Sequence, residues 1–206
     1  MKVLTTEGPN MKIFQNNYRQ KGFTLAELLI VVAIIAVLVA IAIPIFNIQI
    51  EKSREAYDID TMRQAASAAI ELYYSGVYDA GSADKAGLKW WPETSDHTRD
   101  NAAGAYDPRT GKFYKTREAL PNEVQTYGKG TTVDGGTTFT LGNEEYGAYA
   151  PDRDYTKAVV MVAIYPNGAH PHVDVYWKNN SKGNTQYVGG ANGNNVPKYC
   201  IRIGLD

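Results

Sequence analysis

The apolar positions of this chain follow three successive patterns. From Leu28 to Phe46 they are continuous, with no charge and no glycine, and Pro44 is the one helix-breaker. At about 1.5 Å per residue the run spans roughly 28 Å as a helix, close to the ~30 Å of a bilayer core. A helix apolar on every side has to be buried on every side, in lipid or in protein. From Asn47 to Ser75 the pattern becomes periodic: Ile59, Met62, Ala66, Ala69, Ile70 and Tyr73 recur at steps of three and four. That spacing predicts one apolar stripe on a helix. Glu51, Lys52, Arg54, Glu55, Asp58, Arg63 and Glu71 are assigned to the opposite side. Ala65, Ala66, Ala68 and Ala69 favour the helix, and Gly76 offers the left-handed residue that ends one. The stripe is too short and too Ala-rich for a coiled coil, which needs sustained a/d heptads with e/g charges. Phe23 to about Ser75 therefore reads as a single helix.

After Gly76 the helical period disappears. Val77 to Gly136 is rich in Gly, Asp, Asn, Thr and Pro and reads as a long connector with Trp90-Trp91-Pro92 as its apolar centre. Asp107-Pro108-Arg109-Thr110-Gly111-Lys112 reads as a turn joining two short pieces. Strands are expected at Thr137–Leu141, at Ala158–Tyr165, through Val173, Val175 and Trp177, and at Tyr199–Ile203. Asn167-Gly168 marks a hairpin between the second and third. Asn179 to Pro197, dense in Asn and Gly, reads as a loop. The expected class is α+β: a long N-terminal helix whose amphipathic half packs on an antiparallel sheet of about three or four strands.

The start of the apolar run carries further information. Lys2, Lys12, Arg19 and Lys21 precede it, a bias that holds the N-terminus on the cytoplasmic side. An ordinary secretory signal has a core of only about 7–15 residues, closed by a small-residue cleavage site. Here the small residue, Gly22, stands before the run, in Lys21-Gly22-Phe23-Thr24-Leu25-Ala26-Glu27-Leu28. That arrangement, with Pro44 inside the following helix, resembles the class III signal of type IV prepilins and the related pseudopilins. The match covers Lys21 to about Phe46; the rest of the chain is similar in architecture alone.

The resemblance implies cleavage between Gly22 and Phe23 by a prepilin peptidase and N-methylation of the new Phe23 amine. Residues 1–22 would be a leader, 23–46 a transmembrane and filament-core helix, and 47–76 the helix that packs on a head made of 77–206. Within that head, 77–136 would be the helix-to-sheet loop and 137–206 the sheet with its C-terminal loop. Glu27 would pair with the Phe23 amine of a neighbouring subunit, and Pro44 would be where the helix bends or melts during assembly. The implied function is a structural subunit of a surface pilus serving adhesion, motility or related tasks. Its implied partners are other pilins, the prepilin peptidase, an inner-membrane platform protein and, through that platform, an assembly ATPase. The subunit would sit in the cytoplasmic membrane before assembly and in an extracellular filament after it. A pseudopilin of a type II secretion system is the alternative, and a membrane-anchored sugar-binding module a more distant one.

Composition changes this picture little. A net charge of -1 with no basic stripe gives no nucleic-acid footprint. The one cysteine, Cys200, reads as a small buried hydrophobe or as an intersubunit thiol. His97, His170 and His172 lack the further ligands of a zinc site, and no metal or cofactor is expected. Asp96, Asp100, Asp107, Asp152 and Asp154 are oxygen donors in loops, without the run of alternating aspartates that marks a calcium loop. No P-loop, dinucleotide fingerprint or nucleophile elbow is present, so an enzyme is not indicated. Trp90-Trp91 reads as an anchor of the connector or as a stacking platform for a sugar, and Asn179-Asn180-Ser181 fits a glycosylation sequon.

Overall fold

In the computed structural model, the described residues are 22–93, 95–121, 149, 153–156, 158–179, 187–191 and 196–206. The leader up to Lys21, the strand expected at Thr137–Leu141, Asp152, and the sequon residues Asn180 and Ser181 lie outside them. The chain divides into two compact units, Met1–Ile43 and Pro44–Asp206.

One helix, α1 (Leu25–Tyr74), runs through both. In the first unit all of its residues are exposed, from Leu25 onward, as the unbroken apolar run requires of a segment meant for another solvent or another chain. In the second unit the helix becomes one-sided. Ile59, Met62, Ala65, Ala66 and Ala69 are buried, with Met62, Ala65 and Ala69 wholly so. Gly76 then stops the helix at a φ of 97°. The Gly76 N–H donates to the carbonyl of Tyr73 and that of Val77 to the carbonyl of Leu72, the paired bonds of a left-handed cap.

The helix departs from expectation on its polar side. Glu51, Glu55 and Asp58 are buried, although they were assigned to the solvent face. Their spacing of four and three continues the buried stripe upstream, so position decided their placement and charge did not. The Tyr149 hydroxyl donates to Asp58 at 3.4 Å, and the Tyr149 ring stacks on Tyr155 with centroids 4.2 Å apart.

A six-residue helix, α2 (Ala80–Lys85), follows, capped by Asp79. The sheet then begins earlier than the sequence suggested. Its strands are β1 (Lys89–Trp91), β2 (Asn101–Asp107), β3 (Lys112–Tyr114), β4 (Ala158–Tyr165), β5 (His172–Asn179) and β6 (Cys200–Gly204). The order is β1-β2-β4-β5-β6, all antiparallel, with β3 paired to the last residues of β2. Among the described residues the sheet thus has six strands where three or four were expected, and three of them fall inside the stretch read as a connector. The reason is composition. β2 is Asn-Ala-Ala-Gly-Ala-Tyr-Asp, with no β-branched residue, so it lacks the side chains by which a strand announces itself. Small residues suit its central place: a Cβ on Gly104 would stand 2.7 Å from Leu88 and 2.8 Å from the Tyr114 carbonyl.

The sheet is buried on both faces, not on one. Val160, Val162, Ile164, Val173, Val175, Trp177 and Ile201 pack with the α1 stripe. On the other side Ala103, Ala105, Val159, Met161, Ala163 and Tyr176 pack with Leu120 and the partly buried Tyr114, Tyr187 and Cys200. This double coverage explains why β4 is an unbroken apolar run, the pattern of a strand with no solvent face. The Asp107–Lys112 segment forms the tight turn joining β2 and β3, as its residues indicated.

Candidate processing and assembly site

The segment around the expected cleavage point is built by four residues. Gly22, Phe23 and Thr24 precede the helix, and Phe23 is 86% exposed. Thr24 is the residue that starts α1. Its backbone N–H and its hydroxyl both donate to the Glu27 carboxylate, at 2.8 and 2.9 Å, while the Glu27 N–H donates back to the Thr24 hydroxyl oxygen at 3.2 Å. The Leu28 N–H closes the first turn on the Thr24 carbonyl. This is a capping box, in which residues three apart satisfy each other's orphan groups. Its signature, Thr-x-x-Glu before an apolar run, was present in the sequence and is the feature that the sequence reading missed. Glu27 thereby has donors within its own chain at the edge of a segment where a lone carboxylate would be costly.

Gly22 is not fixed by local crowding. Nothing lies within 4 Å of where a side chain would begin, and its backbone is not left-handed. A demand for a small residue here has to come from whatever grips this bond, not from the fold. Pro44 stands inside α1 and is exposed, at the first residue of the second unit. Proline cannot donate, so the Ala40 carbonyl one turn earlier loses its helical partner.

The other residues singled out in the sequence are occupied by local structure. Trp90 is partly buried on β1 against the core, while Trp91 is 51% exposed with the Lys89 ammonium 3.9 Å from its ring centre. Asp96 accepts from the N–H and hydroxyl of Thr98, and those bonds hold its carboxyl below the usual range. Asp100 accepts from the Glu93 N–H and faces His97, and Asp107 accepts from the Arg109 N–H and the Thr110 hydroxyl. Asp154 accepts from Thr156 in the same way. These aspartates shape turns. Among the described residues no group of three or more His, Cys, Asp or Glu is placed to hold a metal. His170 lies 3.3 Å from Asp206, and the His172 ring stacks on Tyr165. Asp174, buried in β5, receives both arms of the Arg202 guanidinium at 2.8 and 2.7 Å.

Residues 17–43 match the family model of the prokaryotic N-terminal methylation motif, a window that contains Gly22, Phe23, Thr24 and Glu27 and ends one residue before Pro44. A fimbrial protein of Dichelobacter nodosus is 36% identical over 119 residues, 56% of this chain and 71% of that protein. A type IV major fimbrial protein FimA of the same organism is 34% identical over 119 residues, again 56% and 71%. The fimbrial protein EcpC of Eikenella corrodens is 43% identical over 68 residues, 31% of this chain and 42% of that protein. No solved structure matches. With its methylation motif, its exposed apolar helix and Dichelobacter relatives that it covers over 71% of their length, the chain belongs to the type IV pilin family as a pilin precursor.

Proposed function

We propose that this chain is the structural subunit of a type IV pilus, cut between Gly22 and Phe23 and polymerised through α1. The observation that carries this reading is the first half of α1, an apolar helix exposed on all sides that begins within three residues of the proposed cut. Such a surface is stable in a bilayer before assembly and in a bundle of like helices after it. The basic residues ahead of it support an N-terminus held in the cytoplasm, where a prepilin peptidase would reach the bond. Cleavage frees the Phe23 amine, whose N-methylation keeps its positive charge. In the filament that amine of one subunit pairs with Glu27 of a neighbour, exchanging the internal donors of the capping box for an intermolecular one. Pro44 loosens the helix where the membrane half meets the head. An inner-membrane platform protein and an ATPase acting through it would drive the transfer from membrane to filament.

The test is mass spectrometry of filaments sheared from cells that express the chain. The expected subunit begins at methylated Phe23. Filaments built from a chain that keeps Gly22 and the residues before it would overturn the reading. A Gly22→Val precursor should remain uncut in the membrane, because the local fold has room for the side chain and only the peptidase would reject it.

A further inference from the structure

The half of α1 that packs on the sheet also presents a solvent face, and the charges on it are not scattered. Lys52 and Arg63 are eleven residues apart, as are Asp60 and Glu71, and all four are exposed. Eleven residues are close to three turns, so each pair stacks along the axis: a row of cations beside a row of anions, roughly 80° around the helix. The anion row is displaced from the cation row by eight residues towards the C-terminus, about 12 Å of rise. Ala56 and Ser67 lie between the rows and are small enough to let another backbone approach. Gln64 donates to the Asp60 carboxylate at 2.7 Å, which holds that group on the exposed surface.

We infer that this face is a contact between copies of the chain, in which Lys52 and Arg63 of one subunit meet Asp60 and Glu71 of the next at an axial offset of about 12 Å. The offset is selected by number. At eight residues both pairs form together; a shift of three residues the other way joins only Arg63 to Asp60, and nineteen joins only Lys52 to Glu71. The two rows are different patches, so the contact is heterologous and propagates into a helical array instead of closing as a dimer. The pairing of the Phe23 amine with Glu27 calls for a similar offset. Two residues outside the helix at about 3.3 Å each and two helical rises make roughly 10 Å. Charge complementarity of this kind sets register and rejects wrong partners more than it adds affinity.

The inference rests on the pilin reading, and the experiment separates the two. The full-length chain is expressed as the sole pilin in three forms: Lys52→Glu with Arg63→Glu, Asp60→Lys with Glu71→Lys, and all four changes together. Each double reversal should reach the membrane at the wild-type level yet lower the sheared-filament yield at least about tenfold, since like charges then face each other. The fourfold swap restores opposite rows at the same offset and should recover the yield to within about threefold of wild type. Double reversals that polymerise like wild type would overturn the contact and leave the pilin reading intact. Double reversals that fail and are not rescued by the swap would mean that another protein reads this face, which also overturns it. Wild-type chain that enters no filament would overturn both.

Discussion

At the residue scale, Thr24 and Glu27 show how one local device both starts a helix and satisfies a carboxylate. The box starts the helix and supplies donors to a carboxylate at the edge of the apolar run. Thr24→Val keeps the shape of the side chain but removes the hydroxyl that both donates to Glu27 and accepts from its N–H. The expected result is faster exchange of the first-turn amides in membrane-mimetic micelles, about fivefold for an ordinary cap, while Thr24→Ser leaves them as they are. Equal exchange in Thr24→Val and wild type would show that the helix start is held by something else. The motif around Gly22, Phe23 and Glu27 was legible because its residues stand at fixed spacing. Thr24 was equally legible, since its signature is written in four adjacent residues. The burial of Glu51, Glu55 and Asp58 was hidden, because a carboxylate's type argues for solvent while its place on the helix argues for the core. Long-range partners such as Tyr149, ninety-one residues from Asp58, cannot be found from spacing.

Among the elements, α1 was readable almost to its ends, whereas half of the sheet was not. Periodicity over many turns is a redundant signal, and Gly76 closed it where the chain needed a positive φ. β2 carries three alanines and a glycine, and its identity as a strand comes from its neighbours, β1, β3 and β4. Tertiary context makes it a strand, and no window of local sequence contains that context. The dependence runs in the other direction too, since the sheet's inner face needs α1. A fragment of residues 44–206 should be soluble and unfold cooperatively, whereas one of residues 77–206 should aggregate, because it exposes Val160, Val162, Val173 and Val175. Within the longer fragment, Met62→Ala at a wholly buried position should cost about 2–5 kcal/mol by urea unfolding. Similar solubility of the two fragments would mean that the helix adds nothing to the core.

For the whole molecule, the head's polar interior sets an upper pH limit. Burial opposes the phenolate of Tyr149, Tyr165 and Tyr176, with the charge of Asp58 adding to the first and that of Asp174 to the second. Tyr165 is pushed up to about 12, and the other two also rise above the ordinary value of 10.0. A group whose folded pKa is raised contributes its full stability below the unfolded value and loses it as pH climbs towards the folded one. The urea midpoint of the 44–206 fragment should therefore hold up to about pH 10 and fall above it. Tyr165→Phe should flatten that fall, and a midpoint that does not move by about pH 11.5 would contradict the account. The seam between α1 and the sheet has a mechanical consequence as well. In a filament under tension each head would be loaded along the helix that enters it. The seam is lined by Ile59, Met62, Ala65, Ala66 and Ala69, with Ile70, Leu72 and Tyr73 packed beside them and Asp58 tied to Tyr149. A slip of one turn, about 5.4 Å, would part Asp58 from Tyr149 and drag the buried carboxylates of Glu51 and Glu55 along the sheet, so the seam acts as a latch. Tension would then pass through each head without opening it, as through a closed link of a chain.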